Sequence, residues 1–96
     1  MKTIILNSIV TNSSSNDQGT KLFSVLQVAY LSKDTIMLEI SNEMSLSSSF
    51  LNTSIGEFID MYGVLELKKT LKIKSSSNQY ERLSNYIERY IHVYSA

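Results

Sequence analysis

The sequence contains no cysteine, no proline and no tryptophan, and only three glycines and one histidine among 96 residues. Each absence removes a class of function. Without cysteine there is no disulfide framework, no thiolate metal site and no cysteine nucleophile. His92 alone cannot build a multi-histidine metal site, and it leaves a single candidate for a histidine-based catalytic pair. Gly19, Gly56 and Gly63 stand far apart, so no glycine-rich phosphate loop exists. Net charge is missing too: nine Lys and Arg balance nine Asp and Glu. A broadly basic nucleic-acid protein, whose affinity rests on excess cations, is therefore not expected. Apolar runs are short. Ile4, Ile5 and Leu6 fall well below the roughly 7–15 residues of a secretory core, and nothing approaches the ~20 residues of a spanning helix. The expectation is a cytoplasmic, non-enzymatic protein with no metal, no cofactor, no nucleic-acid partner and no membrane contact.

What is present is ordinary for a small folded chain: 43% hydrophobic and 19% charged residues. That supports one domain over residues 1–96, because two would leave neither a usable core. Serine is abundant, at 17 residues.

Patterning gives an alternating order of strands and helices. Residues 3–10 hold Thr3, Ile4, Ile5, Ile9 and Val10, whose β-branching suits a strand. Residues 11–19 are all polar or turn-forming and read as a loop. Leu22, Val25, Leu26 and Ala29 recur at helical spacing, and Phe23, Val28, Tyr30 and Leu31 widen that face, so a helix over 20–32 covered on more than one side is predicted. The near-continuous apolar run at 35–40 predicts a strand buried on both faces. Leu51, Ile55, Phe58, Ile59 and Tyr62 form a second helical face, ended by Gly63. Residues 70–74 alternate as a strand whose lysines suit an edge. Asn78 and Glu81 resemble a capping box that starts a last helix. The fold class is α/β, with a mixed, mostly parallel sheet of three to five strands and three helices. Ile9-Val10 and residues 64–67 are the candidate additional strands. Leu38, Ile40, Leu51, Ile55, Phe58, Leu71 and Ile87 are expected in one core.

Few residues are equipped for chemistry. Glu39 and Glu43 lie in a strand-to-loop segment, where a spacing of four aligns nothing. His92 sits near a helix C-terminus, where a cation suits the dipole. Lys68, Lys69, Lys72 and Lys74 read as a solvated edge. Tyr80, Tyr86, Tyr90 and Tyr94 form a helical stripe in which Tyr80, Tyr90 and Tyr94 are expected to pack and Tyr86 to face outward. The distinctive segment is Ser47-Ser48-Ser49-Phe50-Leu51, between a buried strand and a helix. Serine there is a favoured N-cap. A helix start is also a favourable place for a regulatory phosphate.

Residues 37–42 and 47–51 resemble the signature region of STAS-like domains, including a bacterial STAS-like family of unknown function and, more distantly, the anti-sigma factor antagonists. In the antagonists an acidic residue on a strand is followed eight positions later by Asp-Ser-Ser-Gly at a helix start. Glu39 and Ser47-Ser48-Ser49-Phe50 occupy those places, with Ser47 for the aspartate and Phe50 for the glycine. Ser49-Phe50 and Gly56, together with Gly19-Thr20-Lys21-Leu22-Phe23, resemble the STAS-like family itself, in which Asn52-Thr53 stand at often acidic positions. The resemblance implies a STAS-like regulatory module that docks a protein partner, such as a kinase-like ATPase or another regulator. It makes Ser49, with Ser48 beside it, the candidate phosphorylation site. Ser47, Ser48, Ser49, Phe50, Asn52 and Thr53 become the candidate partner surface. The alternative is a small phage or mobile-element protein that binds and inhibits a host factor through the same fold.

Overall fold

The computed structural model describes residues 2–12 and 14–94, the last two by backbone alone. Strand β1 (Lys2–Ile5) is followed by a 3-10 turn (Leu6–Ser8) and helix α1 (Asn16–Leu31). Strand β2 (Ile36–Glu39) leads into α2, a continuous helix over residues 48–62. It consists of an α turn at Ser48–Leu51, a π turn at Asn52–Gly56 and a second α segment at Glu57–Tyr62. Helix α3 (Val64–Thr70), strand β3 (Leu71–Lys74) and helix α4 (Ser77–Tyr94) complete the order.

The sheet has the order β1-β2-β3 and both pairings are parallel. The expected mostly parallel sheet is thus wholly parallel among the described residues. It has three strands, and the helices number four. Neither candidate extra strand forms. Val10 is buried behind the 3-10 turn, and residues 64–67 begin α3. Gly63, with φ of 94°, breaks the chain between α2 and α3. Leu67 then turns inward while Glu66 and Lys69 pair across one turn at 3.8 Å. The apolar run at 64–67 therefore serves a helical face instead of a pleat.

The register separates the sheet's two faces. Ile4, Ile36, Leu38, Leu71 and Ile73 share one face, while Thr3, Ile5, Met37, Glu39, Lys72 and Lys74 share the other. Ile36, Leu38 and Leu71 are buried, whereas Thr3, Ile5, Lys72 and Lys74 are exposed. The prediction that β2 is buried on both faces is corrected: its helices cover one face only. Met37 and Glu39 are half-buried because β2 is the central strand, flanked by a neighbour on each side.

The core lies between that covered face and the helices. It joins Leu6, Leu22, Leu26, Leu38, Ile40 and Leu46 to Phe50, Leu51, Ile55, Phe58, Leu71 and Leu83. The expected core residues are buried except Ile87, which packs against the cluster while half-buried. Tyr30, Phe58 and Tyr62 stack together, with centroids 4.1–5.6 Å apart.

Two helix boundaries differ from the pattern reading. Helix α1 starts at Asn16, four residues early, because the Ser15 hydroxyl accepts the Gln18 N–H at 3.4 Å. Four of the nine residues of the predicted loop are thereby helical, and its Ser13 lies outside the described residues. Helix α1 buries one side only, with Val28 65% and Leu31 68% exposed. Helix α4 starts at Ser77, and its capping box is Ser76 with Gln79, not Asn78 with Glu81. The Ser76 hydroxyl accepts the Gln79 N–H at 3.3 Å, and the Gln79 side chain accepts the Ser76 N–H at 3.4 Å.

Candidate functional site

The loop between β2 and α2 is tied down from below. Gln79, buried at the start of α4, donates its side-chain amide to the carbonyls of Ser41 at 2.6 Å and Met44 at 2.9 Å. The Arg82 guanidinium donates to the Leu46 carbonyl. Leu46 itself enters the core. These bonds satisfy loop carbonyls that would otherwise be partly desolvated without partners. They also bring the chain to α2 in a set direction.

The three serines then take different roles. Ser47 is the N-cap, its hydroxyl accepting the Phe50 N–H at 3.2 Å. Ser48 and Ser49 are exposed in the first turn, and neither hydroxyl makes a hydrogen bond among the described residues. The capping role falls on Ser47, so Ser49, expected at or just before the helix start, is the second residue of the helix. Phe50 points the other way and is 1% exposed. Its side chain therefore belongs to the core and is removed from the candidate partner surface. Asn52 is exposed, and it accepts a hydrogen bond from the Tyr86 hydroxyl of α4. Thr53 is half-buried and donates to the Asn16 carbonyl at 2.9 Å, tying α2 to the start of α1. Gly19 is what allows that approach, since a Cβ there would lie 1.9 Å from the Thr53 hydroxyl oxygen and 2.5 Å from the Phe50 carbonyl.

Glu39 is not brought to the serines. It lies on the bare face of the sheet, whereas α2 packs on the face that carries Leu38. Glu43 is exposed in the loop, and hydrogen bonding from the Ser41 side chain holds its carboxyl below the usual range. His92 is exposed. Lys68 and Lys69 fall on α3 and Lys72 and Lys74 on β3, all exposed.

Residues of α4 form the second wall of the site; the pattern reading placed Asn78 only as a helix cap and did not single out Arg82, Asn85 or Arg89. Asn78, Arg82, Asn85 and Arg89 line, with Ser48 and Leu51, an open polar groove of about 370 Å³. Their spacing of four, three and four places them on one helical face. That polar stripe, beside the apolar one, was the available signal. The tyrosine assignments change accordingly. Tyr80, expected to pack, is 56% exposed. Tyr86, expected outward, is half-buried, with its ring 5.8 Å from that of Tyr90. Both lean over Gly56, where a Cβ would come within 2.9 Å of the Tyr86 hydroxyl and 3.0 Å of the Tyr90 ring. The Tyr94 side chain lies outside the described residues.

A serine-capped helix after the central strand of a small parallel sheet agrees with the resemblance that residues 37–51 carry. The model of the family described as the STAS-like domain of unknown function matches residues 18–81, and the chain belongs to that family. No curated protein and no solved structure matches the chain significantly. Among the described residues, no helix is long and apolar enough to cross a membrane.

Proposed function

We propose that this STAS-like domain is a non-catalytic regulatory module that works in the cytoplasm by docking a protein partner. The docking surface is the start of α2: Ser47, Ser48, Ser49, Asn52 and Thr53, with the polar groove against α4 beside them. The partner class is a kinase-like ATPase or another regulatory protein, and phosphorylation of Ser49 or Ser48 is the switch. The observation that carries this reading is the division of labour among the serines. Ser47 caps the helix, which leaves the two following hydroxyls exposed and uncommitted.

A phosphoryl group there adds about −1.5 to −2 charge at a helix start, where the backbone N–H groups and the dipole tolerate it. The Ser47 cap and the Phe50 anchor lie outside the modified atoms. The folded domain therefore survives modification while a packed contact over the serines does not. Two measurements test this. Peptide mapping of the protein isolated from its native cell should locate phosphate on Ser49 or Ser48. Ser49→Asp should melt close to wild type yet lose a partner that wild type and Ser49→Ala retain. A folded Ser49→Asp that keeps every partner leaves the serine with no switching role.

A further inference from the structure

Helix α4 has another side. Between it and β3 runs an open groove of about 490 Å³, floored by Leu71, Ile73, Ile87 and Ile91, with Lys68 and Lys72 on its rim. Glu88 is the one acidic residue lining it. Strand β3 pairs with β2 only, so among the described residues its outer edge has no strand neighbour. The Lys74 carbonyl accepts the Ile40 N–H at 2.9 Å, which turns the Lys74 backbone toward β2. Successive residues of a strand direct their N–H and C=O to opposite sides. The Ile73 backbone pair therefore faces outward along the groove. Lys72 and Lys74, two residues apart and exposed, leave the strand on the sheet's bare face beside that edge, and the Lys72 side chain bends round the edge toward the groove. The Lys72 ammonium donates to the Lys68 carbonyl at 2.8 Å, which holds it at the rim.

We infer that the β3 edge is a docking site for an extended segment of a protein partner in which acidic residues alternate with apolar ones. Three features set that chemistry. The outward Ile73 N–H and C=O offer a pairing site to a strand's backbone. Alternation places every second side chain of that strand over the apolar floor. The intervening side chains fall on the bare face beside Lys72 and Lys74, which calls for carboxylates at the same spacing of two. The same lysines disfavour a second copy, because β3 against β3 brings like charges together across the junction.

The test uses the full chain and short synthetic peptides: one alternating valine with glutamate, one alternating valine with lysine, and one with the valine–glutamate composition in two blocks. Binding is read by fluorescence anisotropy and by hydrogen exchange of individual amides. The alternating acidic peptide should bind saturably and protect the Ile73 amide. The double variant Lys72→Glu/Lys74→Glu should weaken it about tenfold or more, and Lys72→Gln/Lys74→Gln by less. Thermal melts identify any variant that fails to fold, and the glutamine pair then carries the comparison. Equal binding of the lysine or block peptide overturns the inference, as does protection of residues 2–5 in place of Ile73. Competition by a single-stranded oligonucleotide at equal strength also overturns it, because charge alone would then suffice. Self-association of the free protein that protects Ile73 would assign the edge to a second copy and equally end the proposal.

Discussion

Helix α4 separates two grooves that are built on opposite physical terms. On one side Gln79, Arg82 and Tyr86 reach across to Ser41, Met44, Leu46 and Asn52 with directional hydrogen bonds. On the other side Ile87 and Ile91 face Leu71 and Ile73 across open space. The polar side is thus positioned one atom at a time, and its serines are presented in a set orientation. The apolar side is positioned only by what the core holds on either flank. A surface meant to be switched by a charge benefits from the first construction, since hydrogen bonds fix where the charge will stand. A surface that accepts apolar side chains benefits from the second, because dispersion contacts tolerate sliding.

This contrast can be broken at several strengths. Phe58→Ala should remove both grooves together. Phe58 is fully buried beneath the helices, so its truncation should cost about 3–5 kcal/mol in a urea melt. That is a large share of the stability of so small a domain. Gln79→Ala should act on the polar side first. It removes the donor to two loop carbonyls and half of the α4 capping box, and should cost about 1–3 kcal/mol. Amide exchange should then quicken in residues 41–46 before it does in β3. Ser47→Ala should lose about 0.5–2 kcal/mol as the loss of an N-cap. Ser49→Ala, exposed and uncapping nothing, should stay within about 0.5 kcal/mol. If Ser49→Ala costs as much as Ser47→Ala, the division between cap and free hydroxyl is wrong.

The smallest expected effect is the acid response of Glu43. Its carboxyl is held low in the folded chain by hydrogen bonding from the Ser41 side chain. A depressed folded pKa favours the fold above the ordinary carboxylate range, and this contribution fades as pH falls through the folded value. Ser41→Ala should raise the Glu43 pKa toward its ordinary range, measured by carboxyl chemical shift against pH. An unchanged titration would show that the hydroxyl does not act on Glu43.

Much of the plan of this molecule was readable in the residues themselves. The β-branched run near the start, the apolar run at 35–40 and the alternation at 70–74 each mark a strand. The period of Leu51, Ile55 and Phe58 marks the helix that buries them. Gly63 marks where that helix stops. The serine-rich step from strand to helix carried the family resemblance that the family match over residues 18–81 bears out. These are local properties of the backbone and of side-chain spacing, so one dimension suffices to state them.

Other features depended on which surfaces meet. Residues 64–67 are apolar enough for a strand, and only the turn at Gly63 and the burial of Leu67 make them helical. Asn78 and Glu81 satisfy a capping pattern as well as Ser76 and Gln79 do, and the donors from Gln79 to the loop select the latter. An apolar run such as 35–40 does not say whether a sheet has one cover or two. That was settled by both helical crossovers packing on the face of Ile36 and Leu38, which left Glu39 on the far side from the serines. Tyr86 and Tyr80 share one stripe, yet Gly56 opens room for the first, while the second stands at the mouth of the apolar groove. The sequence by itself determined the three strands, the helices that follow them and most of the residues that must be buried, because period and propensity are properties of neighbours along the chain. The tertiary structure alone decided which serine is spent on the helix and which remain exposed, because that depends on where the chain enters the helix after the loop is tied down.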